Sequence, residues 1–328
     1  MKRRDFLNTL TTTSLLSMLD PNYLSAKEKL LSGKSPTAAL PKRRFGRAKD
    51  MISIIGFGGI VAMNVTREEA ARYVGEAVER GVNYFDVAPS YGNAQQRLGP
   101  ALKPYRDKCF LACKTTKRDA AGALEELNHS LKTLQTDHVD LYQLHAITKL
   151  EDVEQSFGPG GAMETFEKAR RQGKVRYIGF SAHSEEAAHA ALDRFDFDSI
   201  LFPLSFPTWI KGKFGPSVHK RAQDDKRGIL AIKPMAHQKW PKSISRNQRP
   251  WKKAWYEPFD EIDKVALGLR FTLHLPVSSM IPPGHWKLLK MAVDLAQSGA
   301  LTPLNQKEHN LVAAIADECE PLFIKPMP

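Results

Sequence analysis

The sequence predicts a (β/α)8 barrel, an α/β TIM-type fold built as a single domain, and three observations carry that expectation. Short β-branched or aromatic runs alternate with amphipathic segments from about residue 41 onward, the mark of repeated βαβ units. Eight such strand–helix pairs can be counted, which is the number a closed barrel requires. A length of 328 residues suits one barrel better than two smaller domains. A doubly wound open sheet is the competing architecture, but it rarely needs so many units.

The elements follow in order. Arg43 to Ile54 reads as an N-terminal hairpin that leads into a first strand, Ile52–Gly58. Thr66 with Glu69 three residues later makes a capping box for a helix running to Arg80, and Gly81 closes it. Strand Asn83–Ala88 precedes helix Ala94–Lys103, and strand Cys109–Lys114 precedes helix Ala120–Leu134. Strand His138–His145 precedes helix Gly161–Gln172, which stops at Gly173. Strands Val175–Ser181 and Ser199–Leu204 lead to helices Glu185–Arg194 and Val218–Lys226. Strand Gly228–Pro234 leads to Glu261–Leu273, and strand Ser278–Ile281 to Lys287–Gln297. An extra C-terminal amphipathic helix, Gln306–Glu318, is expected to pack on the barrel.

Ahead of the barrel, residues 1–40 read as an export leader and linker, leaving 41–328 as the folded domain. Arg3-Arg4-Asp5-Phe6-Leu7 resembles the twin-arginine export signal, which implies a periplasmic destination, with a cytoplasmic one as the alternative. The apolar stretch Leu10 to Leu19 is too short and too polar to span a membrane. Tyr23-Leu24-Ser25-Ala26 offers a small-residue cleavage site, and Lys27 to Leu40 then reads as linker. The plain alternative is a disordered basic tail.

The formal charge of +12 comes from 48 Lys and Arg against 36 Asp and Glu. Much of the excess sits before residue 50, so the barrel itself is only mildly basic and a nucleic-acid partner is not expected. A mildly positive body suits an anionic cofactor or substrate. Cys109 and Cys113 lie in one strand, ~13 Å apart at ~3.3 Å per residue, too far for a disulfide.

The chemistry is concentrated where strands end. Asp86 closes the second strand and Tyr91 follows in its loop; Lys114 closes the third and His145 the fourth. In a barrel these residues converge on the C-terminal rim, where active sites are built. A Lys ammonium beside a Tyr hydroxyl is expected to lower its pKa and ease proton donation. The aspartate holds the lysine, and a histidine on the next strand can orient a substrate oxygen. Singly, each has a plainer explanation: a loop cap, a turn aromatic, a snorkelling lysine, a core histidine. Their joint order on consecutive strands favours a catalytic group. The set suits protonating a carbonyl oxygen while a hydride reaches its carbon, and a nicotinamide must supply that hydride.

Four segments then carry a resemblance: Ile54-Ile55-Gly56-Phe57-Gly58-Gly59, Gly81 to Gly92, Val139 to His145 and Gly173 to Ser181. Together, in this order, they resemble the aldo-keto reductase family over residues ~43 to ~300. The resemblance implies NADP(H), with NAD as the alternative, bound across the C-terminal face, and reduction of an aldehyde, ketone or sugar carbonyl or oxidation of the alcohol. It implies Tyr91 as general acid/base, tuned by Asp86 and Lys114, with His145 orienting the carbonyl. It further implies cofactor contacts from Gly59, Asp86, Ser181, His183, Lys233, Pro234, Gly284 and Lys287. The chain departs from the family where an Asn, a Gln and a stacking aromatic usually hold the nicotinamide, having Ala182, Leu201 and Ile232 instead. Lys287 or Lys290 is the candidate partner for a ribose 2′-phosphate, with a solvated helix face as the plainer and favoured explanation.

Those departures motivate a second reading, a non-catalytic nicotinamide-binding sensor or subunit. Retention of Tyr91 argues against it. The Trp-rich connection 236–260 is either a lid over a sugar-like or aromatic substrate or an anchored insertion. The small-molecule substrate is not legible, no metal ligands are expected, and a monomer is favoured.

Overall fold

The computed structural model of the chain describes residues 18–33, 36 and 38–325. Eight parallel strands form the barrel: β3 (Phe57–Gly58), β4 (Tyr84–Asp86), β5 (Phe110–Thr115), β6 (Val139–Ile147), β7 (Val175–Ala182), β8 (Ser199–Pro203), β9 (Gly228–Ile232) and β12 (Ser279–Ile281), each hydrogen-bonded to the next. The circle closes between the first and last strands. Gly56 N–H donates to the Met280 carbonyl at 2.9 Å, and Met280 N–H to the Ile54 carbonyl at 2.9 Å.

That closure corrects the first strand. Rather than running unbroken from Ile52 to Gly58, it divides into β2 (Met51–Ser53) and β3. The two pieces have different partners: β2 pairs antiparallel with β1 (Lys42–Arg44) in the expected hairpin, whereas β3 pairs with β4. The hairpin turn carries Phe45, fully buried as a plug in the barrel floor. Its ring meets Phe110 at 4.9 Å and Tyr177 at 5.4 Å, and a Cβ on Gly228 would lie only 2.8 Å from it. Only glycine lets β9 pass this close.

Outside the barrel run α2 (Arg67–Glu79), α3 (Ala94–Leu102), α4 (Ala120–Leu134), α6 (Ala162–Arg171) and α7 (Glu185–Arg194). The remaining cover is α9 (Pro216–Asp224), α10 (Ile262–His274) and α11 (Trp286–Gln297). The Thr66–Glu69 capping box forms as expected. A helix not foreseen, α5 (Leu150–Phe157), occupies the loop after β6. Asp152 starts it by accepting the Thr148 and Lys149 N–H groups, and Gly158 ends it. The C-terminal helix α12 (Gln306–Glu318) packs on the short helix α8 (Phe206–Ile210).

The segment read as cleavage site and linker is partly structured. Helix α1 (Pro21–Leu31) docks on α11 with Tyr23 fully buried. The Tyr23 hydroxyl donates to Asp263 at 2.5 Å, and Lys27 reaches both oxygens of Asp263 at 2.8 Å. Asp20 N–H donates to Glu308, which also forms a fully buried pair with Arg270. An apolar face and these polar ties make residues 21–31 part of the body rather than a linker. The twin-arginine motif lies outside the described residues. Among the described residues no helix is long and apolar enough to cross a membrane.

Candidate active site

Strands β4, β5 and β6 are neighbours in the barrel, so their C-terminal ends deliver side chains to one place. Asp86, Tyr91, Lys114 and His145 are brought together there. Lys114 is wholly buried and donates to Asp86, its counter-ion on the adjacent strand. Two residues not singled out from the sequence complete the cradle: the Tyr84 hydroxyl and the Gln143 amide each donate to Asp86 Oδ2 at 3.1 Å. A buried carboxylate is tolerable only when its lone pairs are used in this way. Both residues sit on strands, two places before Asp86 and two before His145, so their side chains share a face with the catalytic ones.

Burial works against the charge on Lys114, but Asp86, with Tyr91 and Cys113 beside it, outweighs burial and the ammonium is held above its ordinary pKa. Its Nζ lies 5.4 Å from the centre of the Tyr91 ring. The expected net lowering of the Tyr91 pKa is not what the site produces. Burial raises it more than the Lys114 charge lowers it, so the phenol stays protonated through the neutral range. His145 meets Tyr91 edge to face, with centroids 5.6 Å apart and planes at 83°. Burial, then the charges of Lys114, Arg118 and Lys233, push its imidazole down to about 3, so it is neutral at any ordinary pH.

The backbone around His145 is fixed from outside. Arg118, paired with Asp152 of α5, donates to the His145 carbonyl at 2.8 Å. Ser181 accepts the Ala146 N–H at 2.7 Å, where Ala146 has φ of +55°. On the ring itself, Nδ1 lies 3.3 Å from the Ser90 hydroxyl.

These groups open into a cavity of about 230 Å³ on the C-terminal rim. Ser181, His183, Lys233 and Gly284, all expected near the cofactor, line it together with Asp86, Tyr91 and His145. Three other expected contacts do not. Gly59 lies against Asp86 and Val87, where a Cβ would be 2.6 Å from the valine; its neighbours Gly58 and Ile60 face the cavity instead. Pro234 turns its carbonyl onto Gly268 of α10, so it packs a helix. Lys287 is exposed and lines a separate groove against α1 and α11, while Lys290 pairs with Asp294.

The Trp-rich connection is anchored to the barrel, and part of it reaches the cavity. It folds as the antiparallel pair β10 (Ala236–Lys239) and β11 (Tyr256–Pro258). Trp240 anchors it by donating to the Ala254 carbonyl at 3.0 Å, and Trp251 by donating to Asp260 at 2.8 Å. Trp255 and Tyr256, by contrast, wall the cavity. Lys253 straps the loop across the rim by donating to the Val61 carbonyl at 3.0 Å.

A dinucleotide is compatible with these walls. Asp86 is the one carboxylate among the described lining residues, and its charge is already taken by Lys114, while Lys233 and Lys253 add positive charge. Gly284 lines the cavity and packs directly on Ile60, whose side chain a Cβ would approach to 2.3 Å. The carboxamide end of a nicotinamide would find fewer polar partners, since Ala182 is buried and Leu201 and Ile232 are apolar.

Comparison with known proteins agrees with this architecture. YhdN, an aldo-keto reductase of Bacillus subtilis, is 28% identical over 278 residues, covering 75% of this chain and 79% of that protein. The uncharacterized oxidoreductase YqkF of the same organism is 28% identical over 178 residues, 50% of this chain and 56% of its own length. L-galactose dehydrogenase of Arabidopsis thaliana is 29% identical over 169 residues, 46% and 51% of the two chains. The chain thus spans only a little over half the length of the last two relatives. Among solved structures, the holo form of aldo-keto reductase AKR11C1 from Bacillus halodurans superposes with a TM-score of 0.66 at 23% identity, over 87% of this chain and 98% of that one. The sequence profile of the aldo/keto reductase family matches residues 54–315, from the barrel-closing strand into the last helix, and the chain belongs to that family of oxidoreductases.

Proposed function

We propose that the protein is a nicotinamide-dependent reductase of aldehyde, ketone or sugar carbonyls, working with NADP(H), or with NAD as the alternative, and with Tyr91 as general acid. The observation that carries this reading is the buried Asp86–Lys114 pair beside a protonated Tyr91 and a neutral His145 on one rim. When bound, the cofactor supplies or accepts the hydride at the carbonyl carbon. His145, neutral, donates a hydrogen bond that fixes the carbonyl oxygen. Tyr91 delivers a proton to that oxygen, and the Lys114 ammonium stabilises the phenolate left behind. Asp86 keeps Lys114 charged and placed. Ser181, Gly284 and the Gly58–Ile60 turn would hold the cofactor, and the apolar walls with Trp255 keep water from the reacting carbon.

The test is loss of reduced-nicotinamide absorbance with a panel of carbonyl compounds, comparing wild type with Tyr91→Phe. Turnover that depends on the hydroxyl supports the reading. Equal, slow turnover by both proteins that still bind NADPH would favour the non-catalytic binding subunit, which the apolar Ala182, Leu201 and Ile232 positions motivate.

Export through the twin-arginine route is part of the proposal, since that route carries folded, loaded proteins. An exported reductase lacks a ready supply of reduced nicotinamide, so the cofactor is held tightly and recycled in place. Rapid loss of nucleotide on dialysis of protein from its native compartment would overturn that part alone.

A further inference from the structure

Lys233 lines the cavity but has no part in the chemistry proposed above. It follows β9 with φ of +64°, a left-handed backbone that a lysine rarely adopts and that surrounding structure must enforce. Its side chain is 8% exposed and turns inward to the cavity that holds Tyr91 and His145. Two rings flank it: Trp255 from the Trp-rich connection, with its centroid 5.7 Å from Nζ, and Phe323 from the C-terminal tail, at 5.5 Å.

The polar surroundings are unusual. Nζ lies 3.0 Å from His183 Nε2, and Phe323 stacks on that imidazole with centroids 5.3 Å apart. Among the described residues no carboxylate pairs with Lys233, in contrast to Lys114 with Asp86 and Lys27 with Asp263. Burial holds His183 far below the ordinary imidazole value, so it is neutral and brings no charge of its own. An ammonium buried without a counter-ion is costly, and such a group either gives up its proton or takes its counter-charge from a bound molecule.

Resting on the reductase reading above, we infer that Lys233, oriented by His183, is an anion seat within the cleft that takes a carboxylate or phosphate oxygen of the molecule bound against Tyr91 and His145. Burial supports this, because an ammonium held down to about 7 regains its charge when an oxyanion arrives. The aromatic pair shields the contact from water and strengthens it. An acidic group on the carbonyl substrate is the new assignment; the phosphates of the dinucleotide, beside which the family resemblance already places Lys233, are the other source of the same chemistry.

Three proteins distinguish them: wild type, Lys233→Met, and Lys233→Arg, which restores the charge. NADPH affinity is read by fluorescence titration. Substrate preference is read as the ratio of kcat/KM for 4-oxobutanoate to that for butanal, a pair differing by the carboxylate. If the substrate supplies the anion, Lys233→Met lowers that ratio at least tenfold, about 1.4 kcal/mol, with NADPH affinity held within about twofold of wild type. If the dinucleotide supplies it, Lys233→Met weakens NADPH at least tenfold and leaves the ratio unchanged. Lys233→Arg recovers whichever property was lost.

A third readout is independent of turnover: thermal stabilisation by sodium sulfate, compared with sodium chloride at equal ionic strength. Sulfate stabilises both proteins by exclusion from their surfaces, and wild type shows an additional rise in Tm, saturating at millimolar sulfate, that Lys233→Met lacks. Should no member of the carbonyl panel be reduced while the sulfate response still depends on Lys233, the reductase reading fails and the anion seat stands. The seat is overturned if Lys233→Met folds and leaves NADPH affinity, the substrate ratio and the sulfate response all as in wild type.

Discussion

The rings of Tyr91 and His145 meet edge to face at 5.6 Å and 83°, so one hydroxyl from the loop after β4 and one imidazole from β6 look into the same space. That relation makes the order of the proton transfer testable. Tyr91→Phe keeps the ring and the contact but removes the proton, and kcat is expected to fall by about 10²–10⁴ with Tm unchanged within a degree or so. A fall in Tm instead of kcat would place Tyr91 among the structural aromatics.

The same two residues set the pH profile. With His145 held down to about 3, no limb near the ordinary imidazole pKa should come from it. Tyr91 is held above its ordinary value by burial, partly offset by Lys114, so it remains a proton donor across neutral and mildly alkaline pH. At saturating cofactor, kcat for an uncharged carbonyl should therefore decline only at alkaline pH, as the phenol ionises and ceases to be an acid. A limb near pH 6.5 that His145→Gln abolishes would contradict the neutral imidazole.

Lys114 and Asp86 are buried partners, so they should fail unequally. Removing only the cation, Lys114→Met, leaves Asp86 charged and supported by Tyr84 and Gln143 alone. The expected loss is about 3–5 kcal/mol in urea unfolding. Lys114→Met with Asp86→Asn should recover much of it, because no uncompensated charge remains. Additive losses in the double variant would mean that the pair contributes through packing and not through charge.

How much of this was legible in the sequence depends on the range of the interaction. Strand ends and helix caps are local, so Asp86, Lys114 and His145 could be placed by period and Thr66 by its capping box. The break in the first strand was not, because Ile54 to Gly56 are claimed by Met280, more than two hundred residues away. Tyr84 and Gln143 read as ordinary strand residues until the barrel brings them under Asp86. Helix α5 could have been found from Asp152, an acidic residue three places after Lys149 and ahead of a Gly-rich stop. Lys287 failed as a cavity residue because α11 turns it toward α1, a helix hidden in what resembled a linker. The pK of Tyr91 went the other way because charge pairing can be inferred from residue types, whereas depth of burial cannot.

That N-terminal helix makes its own prediction. Tyr23 is fully buried and bonded to Asp263, itself held by Lys27. Tyr23→Ala should cost about 3–5 kcal/mol, the range for a buried aromatic. A cut at Ala26 would remove the same contacts, so protein truncated after residue 26 should melt well below protein beginning at residue 18. Equal melting temperatures would return residues 21–31 to the role of a spacer.

Lys233 carries an expected signature in stability as well as in binding. The groups facing it are neutral His183, the Trp255 and Phe323 rings, and His145, which senses its charge; none supplies a negative charge. Its folded pKa is lowered by burial from 10.5 to about 7. Below about pH 7 both folded and unfolded chains carry the proton, and the full penalty of a buried ammonium weighs on the fold. Between about 7 and 10.5 only the unfolded chain keeps it, so stability gains with rising pH, each unit of difference in pKa being worth about 1.4 kcal/mol. Lys233→Met removes the penalty while filling the aromatic cage with an apolar chain of similar length. The ligand-free variant should therefore be more stable than wild type, by about 1–4 kcal/mol at pH 6 and by less at pH 9. Urea titrations at the two pH values check the sign, and a variant less stable at pH 6 would show that the ammonium has a partner holding it in the fold.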